Sequence, residues 1–295
     1  MAKILDGTAL AGEIRGEVAA GVLEMQEKHG ITPGLAAVLV GDDPASAIYV
    51  RNKRRACDEA GMFSETFSLP ESTPEDQVLD LINQLNRDER FHGILVQLPL
   101  PSAIDSHKII EALQPGKDVD CLHPFNVGKL SQGRPDFLPG TPAGIQQLLL
   151  RNGYDPAGCH VVVCGRSDIV GKPLASLLMQ RQDGANATVT VCHTRTKDLA
   201  AMTLQADILV AAMGRPKTIT ADMVKEGAVV IDVGINRVED SSRRRGYRLE
   251  GDVDYEAVAE KVEAITPVPG GVGPMTIAML MVNTMTAARI SIHGG

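Results

Sequence analysis

The sequence contains no tryptophan, and aromatic residues make up only 3% of its 295 positions. With so few rings, Ala, Val, Ile, Leu and Met must fill the interior, a composition suited to parallel sheets covered by helices. No cysteine arrangement for a metal is present either. Cys57, Cys121, Cys159, Cys164 and Cys192 form neither a CxxC pair nor a Cys/His cluster with zinc-ligand spacing. The odd, scattered set suggests reduced thiols, and no metal is expected. Positive charge is in deficit: 29 basic against 37 acidic residues give a net charge of −8. That balance offers no global attraction for nucleic acid or anionic lipid, so an anionic ligand requires a local basic site. Met275 to Ile292, the most apolar late stretch, is interrupted by Thr276, Asn283, Thr284, Thr286 and Arg289 and is short for a membrane span. A docked, partly buried helix is expected there, with no membrane partner. The opening segment carries Asp6, Glu13 and Glu17, residues that a secretory or transit peptide would avoid, so the expected location is cytoplasmic.

What is present is alternation. At 295 residues the chain exceeds the size at which one core keeps growing, which predicts two domains. Leu10 to His29 reads as a helix with Ile14, Val18, Val22 and Met25 on one face, ended by Gly30. The apolar run Leu35 to Val40 reads as a buried strand, followed by a turn and a polar helix from about Ala45 to Ala60. A helix from Pro74 to Asn86 and a strand from Gly93 to Leu98 complete a mostly parallel αβ domain. Asp118 to Pro142 is rich in Pro, Gly and Asp, and the boundary is placed at its end, residue 142. From residue 143 the pattern restarts with strands at His160–Cys164, Ala187–Cys192, Ile208–Ala212 and Ala228–Val233, a Rossmann-like βαβ alternation. Glu239 to Glu250 has few apolar residues and reads as a solvated hairpin or loop.

In the run Val161 to Pro173, Gly165 and Gly171 lie between a buried strand and a helix. Glycine lets backbone approach a phosphate, and the helix N-terminus adds unsatisfied N–H groups and the positive end of the dipole. The spacing is GxSxxxG rather than GxGxxG, and alone such a turn is as readily plain loop chemistry. The next strand leads to Thr194, Arg195, Thr196 and Lys197, with no carboxylate to take a ribose 2′-hydroxyl. Arg166 and Arg195 could bind a 2′-phosphate through paired hydrogen bonds, which favours NADP over NAD; the alternative is that Arg195 and Lys197 merely solvate a helix start.

In the first domain Tyr49 and Lys53 are spaced i,i+4 and project from one helix face. The ordinary reading of that pair is a solvated lysine beside a packed tyrosine. Gln97 falls near the carboxyl edge of the sheet, where it could be a satisfied structural amide or could position the Lys53 amine without adding charge. Asp120 in the loop KDVDCLHP could cap a turn, or accept paired hydrogen bonds from a planar amidine-like edge such as that of a pterin.

ASAIYVRNK, VQLPLP, KDVDCLHP, GRSDIVGKP, ATVTVCHTRT, VVIDVGIN and ITPVPGGVGPMT, in that order, resemble the bifunctional methylenetetrahydrofolate dehydrogenase/cyclohydrolase family over nearly the whole chain. The resemblance implies an NADP-dependent oxidation of 5,10-methylene-tetrahydrofolate and hydrolysis of the methenyl product to 10-formyl-tetrahydrofolate. It implies that Lys53 is the catalytic lysine, Tyr49 shapes the folate pocket, Gln97 tunes the lysine and Asp120 grips the pterin. Gly165, Arg166, Ser167, Thr194 and Ile235 match cofactor contacts, and Pro269, Gly270 and Gly271 match a loop beside the folate. The final helix from Met275 is similar to one that returns to the first domain, giving a folate-binding catalytic domain of 1–142 with 275–295 and an NADP-binding domain of 143–274. Folate substrates and a homodimeric assembly are expected. Cys121 stands where the family usually has glycine, and Gly140 where it usually has cysteine; the first puts substrate affinity in doubt. A monofunctional dehydrogenase, another NADP-dependent dehydrogenase and a silent ligand sensor are the competing readings.

Overall fold

The computed structural model describes residues 2–243 and 246–293. Its chain divides into two compact units, one of Met1–Ala11 with Thr141–Thr276 and the other of Gly12–Gly140 with Ile277–Gly295. In chain order the first unit contributes β1 (Lys3–Ile4), and α1 (Gly7–His29) then continues into the second. That second unit holds β2 (Gly34–Val40), α2 (Pro44–Glu59), β3 (Phe63–Leu69), α3 (Glu75–Arg87), β4 (Gly93–Val96), α4 (Ser106–Glu111) and α5 (Pro124–Ser131).

The three strands form a parallel sheet in the order β3-β2-β4. All of β2 is buried, as its unbroken apolar run requires of a central parallel strand. Successive residues serve opposite faces. Leu35, Ala37 and Leu39 join Val18, Val22 and Met25 of α1, Cys57 of α2, and Leu280 and Met281 near the carboxyl end of the chain. Ala36, Val38 and Val40 pack with Val78, Ile82 and Leu85, one stripe of α3. β3, with the sequence FSETFSL, carries no clear strand signal because it is a half-exposed edge with Ser64 and Glu65.

The nucleotide unit resumes with α6 (Gly140–Arg151), β5 (His160–Cys164), α7 (Gly171–Leu178), β6 (Thr188–Cys192), α8 (Leu199–Thr203), β7 (Ile208–Ala211) and β8 (Val229–Asp232). An antiparallel hairpin, β9 (Asn236–Glu239) with β10 (Tyr247–Glu250), precedes α9 (Tyr255–Ala259), β11 (Ala264–Ile265) and α10 (Val272–His293). Six parallel strands run in the order β1-β11-β8-β7-β5-β6. The first eleven residues therefore lie outside the expected 1–142 domain. Lys3 pairs with Ala264 and Ile4 with Ile265, so β1 satisfies the otherwise open edge of β11.

The hairpin replaces the looser hairpin-or-loop expectation for Glu239 to Glu250. Arg248 is bonded to Glu250 and Asp240, Arg243 lies 3.8 Å from Asp240, and Arg237 lies over the Tyr247 ring. Arg244 and Arg245 lie outside the described residues. α10 is long and apolar enough to cross a membrane by length and composition. Its Met275, Ala278, Met281, Thr284 and Ala288 are fully buried in the protein, and from Ile277 onward it belongs to the second unit.

Candidate active site

Asp43 caps α2 by accepting from the Ser46 N–H at 2.8 Å, and Pro44 supplies a preset first-turn φ. The helix so started buries Val50 and Cys57. Lys53 lies between them, three residues after Val50 and four before Cys57, so its stem follows the buried stripe. Its Nζ donates to Gln97 Oε1 at 3.1 Å. Gln97 Nε2 donates to the Leu98 carbonyl at 2.8 Å, which fixes the amide with its oxygen toward the lysine. Burial holds the Lys53 amine below the ordinary lysine range, opposed by the charge of Asp120. Burial pushes the Asp120 carboxyl up to about 6, opposed by Lys53. The two groups thus approach one another in proton affinity, as acid–base work near neutral pH requires. Tyr49, one turn before Lys53, keeps 40% of its surface exposed and is available to a ligand.

The turn that carries Asp120 is built by residues the sequence reading passed over. Asp118, almost fully buried, accepts from the Leu122 and His123 N–H groups at 3.2 and 2.8 Å and from Asn126 Nδ2 at 2.9 Å. Asn283, on α10, donates to the carbonyls of Val119 and Leu138 at 2.7 Å each. Cys121 occupies a left-handed conformation at φ 61, and its thiol, pushed up to about 12 by burial, donates to the Phe137 carbonyl at 3.4 Å. The left-handed turn is one that glycine adopts freely. The doubled aspartate of KDVD was the available signal for a scaffold residue beside a ligand residue.

In the nucleotide unit, Cys164 and Cys192 are partners in register and Gly165 N–H donates to the Cys192 carbonyl at 2.9 Å. The segments Gly165–Ser167 and His193–Arg195 therefore leave adjacent strand ends. A Cβ on Gly165 would run into the Ala212 carbonyl, and one on Gly171 into the Gly165 carbonyl, so both glycines permit close backbone approach. Ser167 Oγ accepts from the Val170 N–H at 3.2 Å, steadying the start of α7. Arg166, Thr194 and Arg195 are exposed, and no acidic side chain ends β6. Ile235 is exposed after β8.

Pro269, Gly270 and Gly271 lie in this same unit, braced by the amino terminus. The Thr8 N–H and hydroxyl donate to the Gly270 carbonyl at 2.9 and 3.3 Å, and a Cβ on Gly7 would strike the Gly271 carbonyl. Nothing in the first eleven residues, read alone, reveals that they support a loop more than 250 positions later.

These features define a class: an α/β enzyme in which one unit carries a desolvated lysine beside a carboxylate and the other a parallel dinucleotide-binding sheet. A model of the tetrahydrofolate dehydrogenase/cyclohydrolase catalytic domain matches residues 5–120, and one of the NAD(P)-binding domain of the same family matches residues 139–292. The chain is 58% identical over 288 residues to the bifunctional protein FolD of Syntrophus aciditrophicus, covering 98% of each chain. It superposes with a TM-score of 0.93 on the bifunctional enzyme FolD from Campylobacter jejuni, at 46% identity and 99% and 100% coverage. The FolD of Trypanosoma brucei, crystallised with NADP cofactor and an inhibitor, gives 0.93 at 39% identity, with 99% and 98% coverage. The chain belongs to the tetrahydrofolate dehydrogenase/cyclohydrolase family.

Proposed function

We propose that the protein is a bifunctional one-carbon folate enzyme. It oxidises 5,10-methylene-tetrahydrofolate to the methenyl cation with NADP and hydrolyses that cation to 10-formyl-tetrahydrofolate. The observation that carries the reading is Lys53, an amine with burial-lowered proton affinity held by a neutral amide and lying beside Asp120. A structural lysine on a helix would keep its head in water.

The residues of the nucleotide turn fit NADP. Gly165 and Gly171 leave room for a pyrophosphate, and Arg166 with Arg195 supplies cations where an acidic residue would repel a 2′-phosphate. Ser167 and Thr194 would offer hydroxyls to the same phosphate, and Ile235, exposed after β8, would contact the cofactor. The chemistry that bound NADP would supply is a hydride acceptor for the substrate methylene. The protein's part in that step is alignment. Asp120, ionised above about pH 6, accepts the pterin's paired N–H groups, and Tyr49 packs along the folate. Pro269, Gly270 and Gly271 form a loop for the folate.

In the hydrolysis, water adds to the methenyl carbon. Lys53, in its neutral form, takes a proton from that water and returns it to the ring nitrogen that departs, while the second proton leaves to solvent. Gln97 holds the amine in place without adding a charge that would keep it protonated.

A cytoplasmic homodimer whose formyl product feeds purine biosynthesis completes the reading. β6 lies at the sheet edge, and Val191 on it and Met179 at the end of α7 are both exposed, features suited to self-association. The test is absorbance of purified protein with methylene-tetrahydrofolate and either NADP or NAD, followed by loss of added methenyl-tetrahydrofolate. NADP reduction with accelerated methenyl loss supports the reading. Reduction without accelerated loss would leave the monofunctional dehydrogenase, and ligand binding without turnover would leave the sensor.

A further inference from the structure

Two buried carboxylates of the nucleotide unit take no part in the chemistry above. Asp232 closes β8 and Asp252 follows β10; they are 3% and 0% exposed. Asp252 accepts from three consecutive backbone N–H groups, those of Met213, Gly214 and Arg215, at 2.5, 2.9 and 2.9 Å. A fourth donor is Asn236 Nδ2 at 2.9 Å. Asp232 accepts from the N–H groups of Gly234, Asp252 and Val253, each at 2.9 Å. The approach is close enough to dictate sequence: a Cβ on Gly234 would strike the Asp252 carboxylate, and one on Gly251 the Asp232 carboxylate. Backbone bonds from Lys217 to Gly251 and from Ile219 to Asp252 continue the same seam.

A buried carboxylate is costly unless its oxygens are satisfied. Here seven donors satisfy the two, and they come from three chain segments: the exit of β7, the exit of β8 and the segment after β10. All three gather at the carboxyl edge of the parallel sheet, the edge at which ligands of such sheets bind. β5, which leads into the Gly165 turn, lies between β6 and β7, with β8 beyond β7. With the 2′-phosphate on the β6 side, the nicotinamide half of the dinucleotide falls to the β7 and β8 side. Because the backbone donors of 213–215 are consumed by Asp252, that loop makes no phosphate cradle; its place is fixed instead.

We propose that Asp252, held from beneath by Asp232, is a positioning residue for NADP: it locks the exits of β7 and β8 so that Ile235 and the 213–215 turn are preorganised for the nicotinamide half. The inference rests on the NADP reading above. Asp252 acts through the backbone and touches no reacting atom. Preorganisation lowers the ordering cost at binding, so loosening the lock weakens cofactor affinity.

The test titrates NADP by calorimetry into wild type, Asp252→Asn and Asn236→Ala, and follows methenyl-tetrahydrofolate loss without NADP in the same preparations. Asp252→Asn turns an amide toward N–H groups that need an acceptor. Its NADP Kd is expected to rise at least about tenfold, and that of Asn236→Ala about threefold. Methenyl loss, whose Lys53, Gln97 and Asp120 all lie on the other unit, stays within about twofold, the scatter of an unperturbed site. Asp252→Asn with wild-type NADP affinity and intact methenyl loss would overturn the proposal. So would wild-type affinity in Asn236→Ala, should Asp252→Asn fail to fold. Absence of NADP binding by the wild type would instead sink the cofactor reading on which the proposal rests.

Discussion

Replacing Gln97 with Glu changes one atom type and places a charge beside the Lys53 amine. At the 3.1 Å separation of Nζ and the Gln97 oxygen, two unit charges attract by about 5 kcal/mol in a medium of effective dielectric 20. Desolvation of the new carboxylate takes back part of this. So does its second oxygen, which faces the Leu98 carbonyl where the amide N–H₂ donated. The remaining attraction raises the lysine pKa by about 1 to 3 pH units. Each unit removes nine-tenths of the neutral amine at a fixed pH below the pKa. Methenyl hydrolysis at neutral pH is therefore expected to fall by roughly ten- to a thousandfold, recovering as the pH is raised. The assay is the pH–rate profile of methenyl-tetrahydrofolate loss, corrected for the uncatalysed reaction, with NADP affinity as a control on the other unit. A Gln97→Glu profile that coincides with wild type would refute the idea that the neutral amide keeps Lys53 partly deprotonated.

Two further outcomes follow from burial. Asp120 and Asp232 both have carboxyls pushed up to about 6 by burial. A raised carboxyl pKa means the ionised form is disfavoured in the fold, so stability rises as the pH falls through that value. From pH 7 to 5 each group contributes about 1 kcal/mol of added stability, read as a higher Tm, while KM for the folate rises below about pH 6 as Asp120 loses its charge. A KM unchanged down to pH 5 would remove Asp120 from pterin recognition. At Cys121, the left-handed φ of 61 costs an L-residue about 1–2 kcal/mol. Cys121→Ala loses the thiol contact and keeps the strain, whereas Cys121→Gly also sheds the strain. The glycine variant should therefore melt no lower than the alanine variant, although an Ala-to-Gly change in ordinary backbone costs about 0.5–1 kcal/mol. A markedly lower Tm for Cys121→Gly would contradict this.

The parts of the fold legible in the sequence were those with continuous signals. LAAVLV, HVVVC and ILVA are buried on both faces and read as central parallel strands, and α3 announced itself by the spacing of Val78, Ile82 and Leu85. β1 and β11 contribute two paired residues each, too few for any period, so the union of the first eleven residues with the nucleotide unit left no local trace. The site shows the same split. Lys53, Gln97 and Asp120 come together because a helix face, a strand end and a loop end converge. The residues that hold the Asp120 turn, Asp118, Asn126 and Asn283, serve backbone groups chosen by the tertiary fold. Asp232 and Asp252 left no stronger local trace, although VVIDVGIN and EGDVD each set an aspartate within two residues of a glycine, the mark of a carboxylate pressed close to backbone.

The most direct test of the account is Lys53→Met, which keeps much of the buried stem and deletes the amine. The protein is incubated with methylene-tetrahydrofolate and NADP, then separately with methenyl-tetrahydrofolate, alongside a measurement of NADP affinity. Enzymatic methenyl loss is expected to disappear while NADP binds with unchanged affinity, because the cofactor residues lie on the other unit. Methenyl loss at the wild-type rate in a folded, NADP-binding Lys53→Met protein would contradict the central claim.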